Sequence, residues 1–473
     1  MTRHNLTELP PKPSTRRGSR ISPRRTATKA GAALIGATLL LAACGSSTSS
    51  TPSASKGSSP STPKGKVTDI VWWNMWSGAT VKLTDEMVTQ FNASHPTIHV
   101  TQLNVPSADG DAKLLSAIAG GDAPDLFTEW NPTIGEYAAS GAIQPMNKFL
   151  TGKYSGVESS LYPVVLDQGL YNKQLYALPM SMNTQLLYYN KTIMKAAGIK
   201  SPPKTLAQLN ADSAKEWKFS GGRLDQIGFY PPNTSLQVLG AVFGVPGEGF
   251  VHGKYALTSE PQAIKMANYI ASFDKYPYSS VSAMNSAYGA VAGGDEDPFV
   301  MGKEGFEIDG VWEAAISMVA SNPSMLSQFG VENFPVVPGG PTTPTSYING
   351  NYNIIPKGAK HPHAAFTFAS WLAGYNNPSI AKYYPQGGWM PTGPALAKTG
   401  AFTNWIKKDP YVAKFVTPLL SKSSQYVPLT TGENQFFTAE TTAMEDIATK
   451  KMTPLQALAY VDSQGNSGLK SSK

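Results

Sequence analysis

The chain has 473 residues, of which 41% are hydrophobic and 15% are charged, and its formal net charge at pH 7 is +7. The basic excess lies in residues 1–43, which hold eight Lys or Arg and one Glu, so the remainder carries 31 basic and 31 acidic residues. A balanced remainder excludes a nucleic acid as the expected partner. The single cysteine, Cys44, excludes an intramolecular disulfide.

The first 43 residues are typical of a bacterial export signal. A basic stretch precedes an uncharged apolar run of 14 residues, 30–43. A membrane-spanning helix needs about 20 apolar residues, so this run fits a cleaved signal peptide better than a permanent span. Because Arg24 and Arg25 precede the run, the general secretory route and the twin-arginine route both stay open.

The residues around the predicted cleavage site resemble the lipobox of bacterial lipoproteins. Leu41, Ala42 and Ala43 directly precede Cys44. The resemblance implies a diacylglyceryl group on the Cys44 sulfur and an acylated new amino terminus, which together give firm membrane attachment. Residues 45–66 are almost entirely Ser, Thr, Pro, Gly, Ala and Lys, a composition that predicts a flexible tether with a reach of roughly 25 Å. The alternative interpretation of Cys44 is an unmodified cysteine that is buried in the fold.

From residue 67 onward, predicted strands alternate with predicted helices. Residues 69–73 predict a buried strand, residues 81–91 a helix and residues 98–101 a second strand, which together make a β-α-β unit. The alternation continues with helices at 112–119, 133–139, 264–273 and 364–372, and with a strand near 126–127. From residue 67 onward the chain has roughly 400 residues, which is more than a single hydrophobic core ordinarily holds. We therefore expect a two-lobed α/β protein with doubly wound sheets. Ligands of such sheets bind beyond the carboxyl ends of strands, which predicts a site at 73–76 and 128–131.

Several motifs, in their order along the chain, resemble the extracellular sugar-binding proteins of ABC importers, the group that includes maltose-binding protein. The resemblance rests on the predicted first strand, Gly-Gly-Asp-Ala-Pro-Asp-Leu at 120–126, Tyr-Ala-Leu-Pro at 176–179, Leu-Tyr-Tyr-Asn-Lys at 187–191, Asp-Gly-Val-Trp at 309–312 and Gly-Trp-Met-Pro at 388–391. The sequence departs from the family where Leu206 replaces a usual Trp, and where Glu304 and Phe306 replace Ala and Met. These departures affect what can be inferred about the substrate, and they do not affect the resemblance to the family.

The resemblance implies a periplasmic-binding-protein-like fold, with two α/β lobes joined by a hinge of several chain crossings. We expect the crossings near residues 179–183, 338–346 and 389–394. The expected division of the chain is a signal peptide at 1–43, the lipidated cysteine and tether at 44–66, lobe 1 at 67–180, lobe 2 at 181–340, a return to lobe 1 at 341–390 and a return to lobe 2 at 391–473.

A sugar presents apolar C–H faces and a rim of hydroxyls, so aromatic rings and polar side chains suit its binding. Trp312 and Trp130 are the strongest candidates, although core packing is the alternative for every tryptophan. Glu129 fits a helix cap equally well. The predicted ligand-binding residues are Trp73, Asn74, Trp76, Glu129, Trp130, Asn183, Trp312, Asn351 and Trp389.

The sequence predicts no catalytic motif, no cofactor and no metal site. It has no His-Glu-x-x-His, no Gly-x-Ser-x-Gly and no Walker-type loop. The acidic run at 295–297 lacks the spacing of a calcium loop, and His361 with His363 lacks a third ligand nearby.

We therefore predict a monomeric, lipid-anchored protein on the outer face of the cell membrane. It would capture a mono- or oligosaccharide between its lobes and deliver it to an ABC permease that is driven by a separate ATPase. One alternative is a secreted glycoside hydrolase, for which Glu129 and Asp309 are the carboxylate pair that can be nominated. The other is a sensor module that presents bound ligand to a membrane receptor.

Overall fold

The computed structural model describes residues 66–220, 223–231, 234–275 and 297–470. The predicted signal peptide, Cys44 and nearly all of the tether lie outside the described residues. Within the described part of the chain, no helix combines the length and the apolar character needed to cross a membrane.

The strands of the described residues mostly belong to one mixed sheet. They are β1 (Thr68–Asn74), β2 (Ile98–Asn104), β3 (Leu126–Trp130), β4 (Leu170–Tyr171), β5 (Gln174–Leu175), β6 (Ala177–Asn190), β7 (Lys218–Ser220), β8 (Arg223–Phe229), β9 (Phe250–Val251), β10 (Lys254–Tyr255), β11 (Glu304–Gly310), β12 (Phe329–Glu332) and β13 (Ile348–Ile354).

Helices cover the sheet and follow most strands. They are α1 (Ala79–Ser94), α2 (Ser107–Gly120), α3 (Ile134–Ser140), α4 (Pro163–Asp167), α5 (Lys191–Ala196), α6 (Leu206–Glu216), α7 (Leu236–Phe243), α8 (Pro261–Ala271), α9 (Val319–Ser321), α10 (Pro362–Leu372), α11 (Tyr384–Gly387), α12 (Pro394–Ala397), α13 (Gly400–Lys408), α14 (Val412–Leu419), α15 (Glu433–Ala448) and α16 (Pro454–Lys470). A π-helical turn, Glu313–Met318, directly precedes α9.

The long strand β6 joins the two halves of the sheet. The strand order is β2-β1-β3-β13-β6-β11-β8-β7, and β12 also pairs with β6. The first part of β6, residues 177–184, pairs antiparallel with β13. From residue 185 onward, β6 pairs with β11 and β12. One uninterrupted strand therefore carries the backbone hydrogen bonding from one half of the sheet into the other.

Two large hydrophobic clusters flank the sheet. The first gathers β1, β3, α10 and residues along β6 from Ala177 to Tyr188. The second gathers Leu187 of β6 with α7, α8, α15 and α16. Phe299 and Phe329 belong to the first cluster, as do Phe402 and Phe415 of α13 and α14, although the sequence assigns all four to lobe 2. This cluster therefore crosses the expected lobe boundaries, which stay a proposal.

Local polar contacts fix the first β-α-β unit, in which β1 and β2 are parallel as predicted. Asp125, in the turn before β3, accepts hydrogen bonds from the backbone N–H groups of Val71 and His361. Its carboxylate thereby ties β1 to the start of α10. Trp72 is fully buried against Phe368 of α10, and its Nε1 donates to Thr128 Oγ1 at 2.7 Å.

The predicted α/β fold is confirmed, with one informative difference at β3. The sequence predicts a loop from residue 128, whereas the strand continues to Trp130. Residues 127–130 continue as a strand because they pair antiparallel with β13, which lies more than 200 residues later in the chain. Side chains alternate across a strand, so this extension decides which way Glu129 and Trp130 point.

Candidate functional site

A cavity of about 360 Å³ lies where β1 and β3 end and β6 passes beside β13. Its volume falls in the range of small-molecule pockets, about 300–1,000 Å³. Its lining consists of four tryptophans, four amide side chains and three other neutral residues: Trp76, Trp130, Asn183, Gln185, Trp312, Ile316, Ser317, Asn349, Asn351, Gly387 and Trp389. Among these described lining residues there is no charged side chain.

The amides come from two neighbouring strands. Asn183 and Gln185 alternate along β6, and Asn349 and Asn351 alternate along β13, so each pair projects from one face of its strand. The register places Asn349 opposite Asn183. Asn183 Oδ1 and Gln185 Oε1 are buried and have no hydrogen-bond partner within the described chain. These two amide oxygens, on residues that line the cavity, therefore have unused hydrogen-bonding capacity.

The four indoles belong to separate segments that the fold brings together. Trp76 follows β1, Trp130 ends β3, Trp312 follows β11 and Trp389 follows α11. The rings of Trp76 and Trp389 lie 5.6 Å apart, centroid to centroid, and Trp389 is only 4% exposed. Trp130 is 37% exposed, and its ring lies 5.2 Å from that of Phe437 on α15. The indoles of Trp76 and Trp389 thus pack against each other inside the cavity lining, while Trp130 lies at the exposed edge of the cavity.

Trp312 is held by close glycine contacts. A Cβ at Gly310 would overlap the Trp312 ring. Gly388 has φ +60°, and a Cβ there would lie 2.5 Å from the Trp312 Cα. Only glycine fits both positions without displacing the tryptophan. The backbone at residues 310 and 388 therefore sets where the indole meets the cavity.

The structure brings six of the nine sequence-predicted ligand-binding residues to this cavity. They are Trp76, Trp130, Asn183, Trp312, Asn351 and Trp389. Their shared location is a finding about placement, and their role in binding stays a prediction.

The structure does not place Trp73, Asn74 or Glu129 in the cavity lining. Trp73 packs partly buried against the first hydrophobic cluster, on the opposite face of β1 from Trp72. Asn74 is fully buried, donates from Nδ2 to Gln102 and accepts at Oδ1 from Asn104 Nδ2. Its amide therefore joins β1 to β2.

Glu129 faces away from the cavity because it alternates with Trp130 along β3. Its Oε1 accepts a hydrogen bond from the backbone N–H of Trp130 at 2.7 Å. Burial raises the pKa of Glu129 well above its usual value, and the neighbouring Asp111 raises this pKa further. A buried carboxyl group that is turned away from the cavity is poorly placed to act on a ligand.

Five lining residues were missed by the sequence analysis: Gln185, Ile316, Ser317, Asn349 and Gly387. The period-2 spacing of Asn183 with Gln185, and of Asn349 with Asn351, was the signal that could have identified two of them. Ile316 and Ser317 lie on a π-helical turn, whose side-chain directions do not follow from a 3.6-residue period. Gly387 contributes through its contact with the Trp389 ring.

Comparison with known proteins identifies the class. The model of the bacterial extracellular solute-binding protein family matches residues 77–375. The chain belongs to this family, and the resemblance drawn from its motifs is confirmed.

Two relatives show the range of the family. The sn-glycerol-3-phosphate-binding periplasmic protein of Shigella dysenteriae is 24% identical over 427 residues, which cover 85% of this chain and 92% of that protein. A putative binding protein of Brucella abortus is 30% identical over 142 residues, which cover 30% of this chain and 33% of that relative. The second match thus spans about a third of the relative's length.

Solved structures share the whole described fold. CpMnBP1 with mannobiose bound superposes with a TM-score of 0.74 at 28% identity, and covers 85% of this chain and 100% of that one. An ABC substrate-binding protein of Listeria monocytogenes in complex with cycloalternan gives a TM-score of 0.70 at 20% identity, over 86% and 100% of the two chains. The second likeness shows the fold alone, and both agree with the predicted periplasmic-binding-protein-like architecture.

We expect Gly388→Ala to destabilise the protein more than a glycine replacement at an open position. Gly141, with φ +70° and no atom within 4 Å of its Cβ position, is the matched control. Both changes place alanine in the left-handed region, which costs about 1 kcal/mol. Gly388→Ala should cost at least about 1 kcal/mol more, because it also displaces Trp312. Urea unfolding measures both variants, and equal free energies of unfolding would contradict the packing argument.

Proposed function

We propose that this protein is the substrate-binding component of an ABC importer. It captures a neutral mono- or oligosaccharide in the cavity and delivers it to a membrane permease, which a separate ATPase energises. No bond of the ligand is made or broken. The observation that carries the proposal is the uncharged cavity lined by four indoles and four amides.

The chemistry of the lining suits a saccharide. Indole faces stack on apolar C–H surfaces, and amide groups both donate to and accept from hydroxyls. Burying Asn183 Oδ1 and Gln185 Oε1 without partners costs free energy, about 1–3 kcal/mol each. A ligand hydroxyl that donates to these oxygens removes that cost. The amides therefore favour a polyhydroxylated ligand.

The absence of charge among the described lining residues favours a neutral ligand over a phosphate ester. A phosphate needs a cationic side chain or a helix N-terminus to offset its charge. The Shigella relative is named for sn-glycerol-3-phosphate, whereas CpMnBP1 was solved with mannobiose. The uncharged lining of this cavity suits a neutral saccharide better than a phosphate ester.

A hydrolase is disfavoured by the positions of the carboxylates. Glycoside hydrolysis ordinarily needs two carboxyl groups about 5–9.5 Å apart that flank the bond to be cleaved. No Asp or Glu is among the described residues that line the cavity. Asp309, the other nominated carboxylate, accepts a hydrogen bond from the backbone N–H of Gly310 and also lies outside the lining.

Closure of the two lobes is the proposed mechanistic step. The cavity lies where β6 passes from β13 to β11, so a ligand held there touches segments from both halves of the sheet. A ligand that contacts both lobes stabilises the closed arrangement by its differential affinity. The permease, or a membrane receptor in the sensor alternative, then binds the closed form. Loss of saccharide uptake on deletion of the gene would favour import, and unchanged uptake would favour the sensor.

Ligand-induced stabilisation tests the proposal directly. The mature protein is melted with a panel of mono- and oligosaccharides, and with sn-glycerol 3-phosphate as the anionic control. A neutral saccharide at 100 times its Kd should add about 2.7 kcal/mol of stability, while the phosphate ester adds none. The same mixtures are examined for cleavage products after long incubation. Product formation, or stabilisation by the phosphate ester alone, would overturn the proposal.

We expect Trp312→Ala to lower saccharide affinity at least tenfold, which corresponds to about 1.4 kcal/mol, with the fold intact. The substitution removes the indole that the glycines at 310 and 388 hold against the cavity. Calorimetric titration measures the affinity. Trp217→Ala, which removes an indole outside the cavity lining, is the control and should leave affinity unchanged. Unchanged affinity in Trp312→Ala would exclude Trp312 from the binding site.

We also propose that Cys44 carries the lipid that holds the protein at the outer face of the membrane, as a monomer on its tether. Cys44→Ser should release the protein into the medium or leave it unprocessed, because the acceptor sulfur is lost. Its saccharide binding should not change, since the binding body begins after the tether. Membrane fractionation and the mass of the mature chain measure this outcome. Ser47→Ala in the tether is the control. A Cys44→Ser chain of mature mass that stays at the membrane as fully as this control would contradict lipidation at Cys44.

A further inference from the structure

A groove of about 900 Å³ continues the tryptophan-lined cavity beyond Ile316. It lies between the start of α1, the π-helical turn with α9, α11 and α13. Ile316 lines both the groove and the cavity, so the two spaces meet at this side chain. The groove is larger than the cavity, whose volume is about 360 Å³. A ligand in the cavity therefore has room to extend past Ile316.

Three segments of the chain line both spaces. Each supplies a pair of nearby residues, the first to the cavity and the second to the groove: Trp76 and Thr80 around the start of α1, Ser317 and Ala315 of the π-helical turn, and Gly387 and Gln386 of α11. Three walls thus pass from the cavity into the groove, and the two spaces form one cleft.

The lining of the groove combines an apolar floor with a polar rim. Leu83, Ala314 and Phe329 are buried and supply the floor. Gln386 and Asn404 are exposed and supply amide groups at the rim. An apolar floor suits the C–H faces of a sugar ring, and amides both donate to and accept from its hydroxyls. The groove thus offers the same two kinds of contact as the cavity.

The charges along the groove balance. Lys82 and Lys408 are basic, Glu86 and Asp409 are acidic, and all four line the groove. Equal numbers of both signs give no preference for an anion or for a cation. The lining therefore favours a neutral ligand in the groove, as it does in the cavity.

Two large apolar side chains of the groove are exposed. Val319 of α9 is 53% exposed, and Leu326, a few residues after α9, is 41% exposed. Exposed apolar side chains along a groove beside a ligand cavity mark a surface that a ligand covers. A sugar unit that lies against these side chains removes apolar surface from water, which favours binding.

Building on the proposed saccharide binding, we propose that the ligand is an oligosaccharide chain. One end of the chain lies among the tryptophans of the cavity, and the following units lie along the groove past Ile316. Small-molecule pockets usually hold about 300–1,000 Å³, and the cavity and the groove together exceed that range. A monosaccharide leaves the groove empty, whereas a chain fills it.

A chain that fills the groove contacts elements from both halves of the sheet. α1 follows β1, and the π-helical turn follows β11. The far units therefore add contacts with both elements to those made in the cavity. A longer chain stabilises the closed arrangement further, because its differential affinity for that arrangement is greater. Chain length then determines affinity together with the identity of the sugar.

Calorimetric titration of the mature protein with chains of different length tests the proposal. The probes are linear oligosaccharides of mannose, of glucose and of xylose, from one to six units. In the series that binds, the tetrasaccharide should bind at least tenfold more tightly than the disaccharide. Equal affinity for the two, or rejection of the longer chains, would overturn the proposal while saccharide binding itself stands. Binding of no member of any series would instead contradict the proposed function, and this proposal with it.

Two variants in the groove locate the added affinity. Ala320→Leu narrows the groove at an exposed position of α9, and it should lower tetrasaccharide affinity at least about fivefold while disaccharide affinity stays unchanged. Asn404→Ala removes an exposed rim amide and should lower tetrasaccharide affinity about threefold. The matched control is Ala112→Leu on α2, an exposed position that is not among the described residues lining either space.

Thermal melts confirm that each variant is folded, and Asn404→Ala keeps the test decisive if Ala320→Leu fails to fold. Wild-type tetrasaccharide affinity in the folded groove variants would overturn the proposal. If those variants also lose saccharide uptake by cells, the groove is a contact surface for the permease instead.

Discussion

The continuity of β6 is the constraint on which the rest of the structure depends. One strand of 14 residues satisfies its backbone groups with β13 over its first half, and with β11 and β12 over its second half. A break between the halves would expose unpaired N–H and C=O groups inside the protein, which is costly. The two halves of the sheet therefore meet at a fixed place. The amides of Asn183 and Gln185 lie at that place, which makes the junction of the fold also the floor of the cavity.

The distribution of charge around this junction is unusual and consistent with the proposed role. The cavity lining in the described chain is neutral, and the nominated carboxylates Glu129 and Asp309 lie outside it. A neutral lining removes the desolvation penalty that a charged group would impose on an uncharged ligand. The glycines at 310 and 388 leave room for the Trp312 ring and for its backbone, respectively. The contacts proposed for the ligand thus come from uncharged side chains, and close glycine packing positions one of them, Trp312.

Part of the cavity lining follows from the sequence. Trp76, Trp130, Asn183 and Trp312 are aromatic or amide residues of the kind that suits ligand contact, and they meet in the lining. Trp73, Asn74 and Glu129 lie outside the lining because a strand alternates its side chains, and their role in binding stays a prediction. β3 continues to Trp130 only because β13 pairs with it, and that partner comes from a distant part of the chain.

The sequence by itself determined the class of fold, the β-α-β start and five of the helices, and it predicts an export signal with a lipid acceptor at Cys44. These features depend on local hydrophobic period, turn residues and composition, all of which act between neighbours in the chain. Only the tertiary structure decided which four tryptophans share a cavity and that Asn349 lies opposite Asn183. These relations join residues separated by tens to hundreds of positions, and a local pattern holds no information about which distant strand will complete a sheet.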